Sequence, residues 1–288
     1  MSAQVMANES PPAPASGRVR KLMADQRVYR AIIGVGLFLV FWELGARSEQ
    51  WAGFRFPWVG LVPPPSAVFT AWTTVFLESS YWMSWLQSFG RVLAGFTAAV
   101  LLGVPLGLAL AVSRTFNGLA FPTFEVLRPI PPLAWVPAAI IFWPTQELAI
   151  AFVTFLGAFY TIVINVVGGA KSIDIRYFQA AQSMGSNGWD IFRRIILPGV
   201  LPSIFLGAAV GMGITWEVVV AAEMISGGGS QIGGTAGGGL GFFIWNSYLG
   251  GSYELIVVGM ISIGIAGYLC SSAIRKAGKS FTPWTRLR

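Results

Sequence analysis

Histidine is absent from the 288 residues, and cysteine occurs once, at Cys270. A lone thiol rules out an internal disulfide, and without imidazole the usual zinc and haem ligand sets are missing, so no cofactor is expected on this chain. The same shortage argues against a membrane enzyme, which needs a nucleophile or a metal set. Charge is scarce as well: 11% of residues are Asp, Glu, Lys or Arg, whereas 55% are hydrophobic. With a mean hydropathy of +0.66, the chain lies far from the averages of soluble domains. The short alternating segments of a membrane barrel are lacking too, and long apolar runs fit helical spans better. The expected fold class is therefore an all-α integral membrane protein.

A span takes roughly 20 residues to cross about 30 Å of hydrocarbon. Apolar stretches of suitable length occur at 29–46, 89–112, 119–142, 147–167, 200–224 and 254–274. Six spans put both termini on one side of the bilayer. Residues 1–28 are rich in Pro, Ala, Ser and Arg without an apolar period, which describes a flexible tail. A secretory signal is the competing reading of the first span, but the leading segment is long and no small-x-small site closes the apolar run. Domain boundaries are set at 1–28 for the tail, 29–275 for the membrane domain and 276–288 for a C-terminal tail.

Orientation follows from the basic residues. An N-terminus in the cytoplasm gathers fifteen of the nineteen Lys and Arg there, leaves Arg47 and Arg55 outside, and puts Arg91 and Arg128 near or within spans. That asymmetry is the positive-inside pattern. The net charge of +7 needs no nucleic acid to explain it.

Residues 179–198 form a polar island with a fixed spacing: Gln179-Ala180-Ala181, three residues, Gly185, nine residues, then Ile195-x-Leu197-Pro198. Small side chains at Ala180 and Ala181 allow a partner's backbone to approach. Glycine at 185 suits a left-handed helix end, and proline at 198 suits the first turn of the next span. An ordinary interhelical loop is the plainer alternative. The spacing resembles the "EAA" loop of ABC importer permeases, with Gln179 where that pattern has Glu. The resemblance implies a cytoplasmic coupling segment, 171–198, that docks on a separate ATPase subunit, and a neutral hydrogen bond in place of any ion pair made by the usual Glu.

Further stretches narrow the resemblance. Leu61 to Val68, Ser88 to Phe96, Arg128 to Pro137, Val220 to Ile225 and Gly241 to Asn246 look like permeases for nitrate, bicarbonate, taurine and alkanesulfonates, in the binding-protein-dependent group. The resemblance implies a type I ABC importer permease fold and a homodimer enclosing the pathway. It also implies two ABC ATPase subunits carrying ATP and Mg, an extracytoplasmic solute-binding protein, and a bacterial inner membrane location with both termini cytoplasmic. The substrate so implied is a small anion, although a non-anionic solute and an ion-coupled secondary transporter stay open as alternatives. No repeated halves of the kind found in secondary transporters are evident.

Pathway or gate candidates come from residues that are costly or disruptive inside a span. Pro131 and Pro132, with Pro129 and Pro137, must interrupt the third span's hydrogen bonding. Ionisable groups at a helix centre cost on the order of 2.5 to 3.5 kcal/mol, which marks Glu43, Glu125, Arg128, Glu217 and Glu223. Glu125 and Arg128 are spaced to pair. Glu223 reads as a packing anchor or gate, whereas Glu217, beside Trp216, reads as a pathway group. Arg91, Arg128, Asn165 and Asn246 are the groups able to favour an anion. The nine glycines in residues 226–241 lack the Gly-Lys-Ser/Thr ending of a phosphate loop, and the segment suits either an external contact with a binding protein or lid, or a slack connector.

Overall fold

A computed structural model describes residues 17–54, 56–57, 59–226 and 238–287. The chain divides into two units, Met1–Ala67 and Val68–Arg288. In the first, α1 (Gly17–Ala46) is followed by α2 (Ser48–Ala52) and a 3-10 turn, Val59–Leu61. Helix α1 begins inside the stretch read as a flexible tail, so residues 17–28 are helical, and residues 1–16 lie outside the described residues. Apolar side chains from Ile32 to Phe41 are exposed on α1, as suits a lipid-facing span. At its end the Glu43 carboxylate accepts from Arg47 Nε at 2.6 Å and from the Ser66 amide at 3.1 Å. This acid is therefore a local tie between α1 and the chain that follows.

The chain enters the second unit along α3 (Pro65–Val75). There α4 (Ser79–Val112), α7 (Gln146–Lys171) and α10 (Leu197–Ile225) pack together as its centre. Two apolar clusters fill the seams, one around Val92, Val153 and Val219, the other around Ala99, Ile162, Val166 and Val200. Small residues let the backbones touch, as is usual where no hydrophobic effect drives helices together in lipid. A Cβ on Gly95 would lie 2.8 Å from the Phe155 amide nitrogen, and one on Gly107 would lie 2.7 Å from Val166 Cβ.

Between α4 and α7 the third apolar stretch is broken. Helix α5 (Arg114–Leu127) and the run Pro132–Phe142, which holds a 3-10 turn and α6 (Val136–Phe142), meet at 85°. The prolines explain the break, since Pro129, Pro131 and Pro132 supply no N–H and crowd the turn before them. Among the described residues, five helices are long and apolar enough to cross a membrane, and six if the bent pair counts as one span.

Beyond α7 come α8 (Ile175–Ser183) and α9 (Gly188–Ile191), and after α10 come α11 (Leu240–Leu249) and α12 (Tyr253–Phe281). Helix α12 runs on into the 276–288 segment set apart as a tail, and a Cβ on Gly278 would lie 2.8 Å from Phe205 Cβ on α10. Residues 227–237, most of the glycine-rich connector, lie outside the described residues.

Candidate functional site

The segment after α7 is built from caps. Asp174 accepts from the Arg176 amide at 2.9 Å and starts α8. The helix ends at Gly185, whose φ of +77° is the left-handed conformation that glycine adopts without a side-chain penalty. There the Ser186 amide donates to the Ala181 carbonyl at 3.0 Å, closing a Schellman-type end. Asn187 then accepts from the Asp190 amide at 2.8 Å to start α9. Gln179 and Ala180 face outward, whereas Ala181 is buried, so the two alanines do different work. Ile175, Tyr177, Met184 and Trp189 are exposed in the same segment. The result is a short, partly apolar knob of helix–turn–helix.

Helix α9 does not stop before α10. A π-helical turn, Phe192–Ile196, joins them, and the Leu197 amide donates to the Phe192 carbonyl five residues back. Pro198 has no amide hydrogen for a regular α bond, and the wider turn absorbs that loss. The expectation that Pro198 opens a fresh span is thus corrected: helical backbone is continuous from Gly188 to Ile225.

A second cluster lies deep in the bundle. Glu223 on α10 is fully buried and forms an ion pair with Arg91 Nη1 of α4 at 2.8 Å. Arg91 also reaches Glu147 at the start of α7, at 2.5 Å, and donates to the Gly238 carbonyl at 2.8 Å. Ser88 donates to Glu223 and accepts from the Leu240 amide, while the Gly241 amide donates to Glu223 at 2.9 Å. Every strong group is matched, as a buried charge requires. The network holds α4, α7, α10 and the start of α11 together. Nearby, Gln146 donates to the Ser226 carbonyl, so both sides of the 227–237 stretch are fastened.

Elsewhere, the broken third stretch leaves a cavity of about 270 Å³ against the middle of α7 and α10, lined by Arg128, Pro132, Tyr160, Thr161, Asn165 and Ile214 among others. Freed backbone at membrane depth is tolerated where it lines such a space.

The comparisons with known proteins follow the same lines. Residues 99–286 match the family described as binding-protein-dependent transport system inner membrane component. This chain belongs to that family. It is a transport component of a multi-pass membrane system and not an enzyme. The permease is 31% identical to the taurine transport system permease protein TauC of Escherichia coli over 228 residues, 77% of this chain and 80% of that one. It is 30% identical to the nitrate import permease protein NrtB of Synechocystis sp. over 252 residues, 84% and 85% of the two chains. A bicarbonate transport system permease protein, CmpB, of Synechococcus elongatus is 29% identical over 250 residues, 83% and 84%. Among solved structures, an inward-facing MetNI methionine ABC transporter gives a TM-score of 0.55 at 20% identity, covering 73% of this chain and 98% of that one. A bacterial alginate ABC transporter in complex with its alginate pentasaccharide-bound periplasmic protein gives 0.57 at 13% identity, covering 91% and 97%. The fold is that of the type I importer permeases.

Within the permease, Arg128, Pro132 and Asn165 meet at one cavity. Arg91 and Glu223 meet each other instead, and Arg91 is engaged by two carboxylates. Trp216 is core, buried against Phe89 at 6.2 Å between ring centroids. Glu217 is exposed on α10, and Pro131 and Asn246 are exposed away from the cavity lining. No ion pair joins Glu125 to Arg128 among the described residues. Sequence reasoning passed over Ser88, Glu147, Tyr160 and Thr161. A signal for Glu147 existed: two membrane-embedded charges, Arg91 and Glu223, imply further polar partners at span ends.

Proposed function

We propose that this permease is the membrane subunit of an ATP-driven importer for a small anion such as nitrate, bicarbonate or a sulfonate, delivered by an extracytoplasmic binding protein. The observation that carries the proposal is the α8–Gly185–α9 knob, with Ala180 exposed at its surface among Ile175, Tyr177, Met184 and Trp189. An exposed, partly apolar helix–turn–helix of this kind suits a groove on a cytoplasmic ATPase. The taurine, nitrate and bicarbonate named for the relatives all carry an oxyanion group, which favours an anionic substrate here.

Two copies of the permease pair with two ATPase subunits, which hold ATP and Mg. The exposed stripe of α10, Leu206, Val210, Gly213 and Glu217, supports a second copy, since a glutamate facing lipid is costly. The termini and the knob lie on the cytoplasmic side of a bacterial inner membrane, in keeping with the distribution of Lys and Arg.

Purification of the permease from native membranes in mild detergent, with mass spectrometry of its companions, tests this reading. An ABC-type ATPase is expected to accompany the parent and to be lost from Ala180→Arg, with membrane insertion unchanged. Ala181→Arg is a different experiment, because its side chain is buried and a charge there disturbs the knob itself. Parental recovery of the ATPase with Ala180→Arg would sink the docking assignment.

A further inference from the structure

Two arginines, Arg91 and Arg128, fall in or near the apolar stretches of the permease, and their surroundings are opposite. Arg91 is buried and neutralised by Glu147 and Glu223. Arg128 forms no ion pair among the described residues, and no carboxylate belongs to the lining of the cavity it faces. A guanidinium carries five fixed donors and is always charged. Arg128 is exposed on this chain and lines the cavity, so its donors are open to an anion that enters there.

The other walls supply hydrogen-bond donors. Tyr160 and Thr161 bring hydroxyl groups from α7. Asn165 uses one amide hydrogen on the Thr161 carbonyl at 2.8 Å and keeps the other. Spacing along α7 explains the convergence, because residues 157, 160, 161, 164 and 165 share one helix face and all belong to the lining. Pro132 and Ile214 close the space with apolar surface. Its volume of about 270 Å³ falls below the roughly 300 to 1,000 Å³ of pockets for drug-sized ligands. It therefore suits a small solute.

We infer that this cavity is a transit site for an oxyanion head group, a planar or tetrahedral XO₃ unit held by the Arg128 guanidinium and by donors from Tyr160, Thr161 and Asn165. It rests on the transport reading above and gives that reading a selectivity element within the permease itself. One cation with a few neutral donors suits transit, since a solute must be held well enough to enter and weakly enough to leave.

The test uses the full-length permease in lipid nanodiscs, titrated with sodium nitrate, sodium bicarbonate and sodium ethanesulfonate against sodium chloride at matched ionic strength, with thermal unfolding as the readout. At least one of the three is expected to raise the unfolding midpoint beyond chloride, because a ligand that binds only the folded state stabilises it. Arg128→Gln is expected to weaken that response at least about tenfold, as loss of a charged hydrogen-bonding partner should, and Arg128→Lys to retain part of it. No oxyanion response in the parent, or a parental response in Arg128→Gln, overturns the inference. Should Arg128→Gln fail to fold, Tyr160→Phe and Thr161→Val replace it. Each is expected to weaken the response several-fold, and an unchanged response in both overturns the inference equally. Failure of an ATPase to co-purify would end the importer reading while leaving this binding result in place, so the two ideas fail separately.

Discussion

Arg91, Glu147 and Glu223 share charge unevenly, and their unevenness ranks the effect of losing each. Glu223 is fully buried with Arg91 as its one cation among the described residues, whereas Glu147 is half exposed, with 51% of its side chain accessible. Arg91→Met leaves a buried carboxylate without a counter-ion and is expected to cost about 3 to 5 kcal/mol of stability. Glu147→Gln leaves Arg91 paired with Glu223 and is expected to cost about 1 kcal/mol or less, as for a solvent-accessible pair. Thermal unfolding in detergent micelles checks the order, and equal losses would show that Glu147 is as essential as Arg91. Part of this network was legible. Arg91 and Glu223 stand out as charges in apolar runs, but Glu147 and Ser88 lie 56 and 135 residues from their partners, a separation that no local pattern bridges. Tyr160 and Thr161 were hidden for a different reason, since polar residues on a helix signal a cavity only once its walls are known.

For elements, the legible features were those set by local backbone chemistry. The left-handed φ of Gly185 follows from the helix end it occupies, and the interruption near Pro131 follows from missing amides. The 85° between the two halves of that broken stretch does not, because an angle depends on what each half packs against. The π turn was equally silent in the sequence, although Pro198 is its cause. Pro198→Ala restores the missing N–H and is expected to let the turn relax to α geometry. One residue of register would then rotate the α9 side about 100° relative to α10. A structure of this variant should show the Leu197 amide bonded to Arg193 in place of Phe192, with poorer coupling of uptake to ATP hydrolysis. Persistence of the π turn would mean that the packing of Trp189 on Phe192, stacked at 5.5 Å, holds it instead.

For the whole molecule, the single cysteine offers a clean measure of topology. With Cys270 changed to Ala, Ser183→Cys is placed on the exposed knob and Tyr253→Cys at the exposed start of α12. A membrane-impermeant maleimide is expected to label Tyr253→Cys in intact spheroplasts and Ser183→Cys only in inverted vesicles. The reverse pattern would turn the permease over in the bilayer and move the ATPase to another surface. Six apolar stretches in the sequence correspond to five long helices and one bent pair, so the membrane class was readable from composition alone. The boundaries were less so: α4 starts at Ser79, well before residue 89, because its first turns are amphipathic and packing, not hydropathy, continues the helix.

Glycine packing in the centre of the bundle has a mechanical consequence. Where Gly95 meets Phe155 and Gly211 meets Ala158, one backbone lies directly on the next, and Gly107 sits against the Val163 carbonyl and the stiff β-branched Val166, so no flexible side chain intervenes to act as a cushion. Such a seam resists shear, since any slide drives main chain into main chain. The three helices then behave as a stiff rod bundle. A push on the short knob between α7 and α10 is expected to travel along them with little loss, leaving the broken stretch at Arg128–Pro132 as the place to yield.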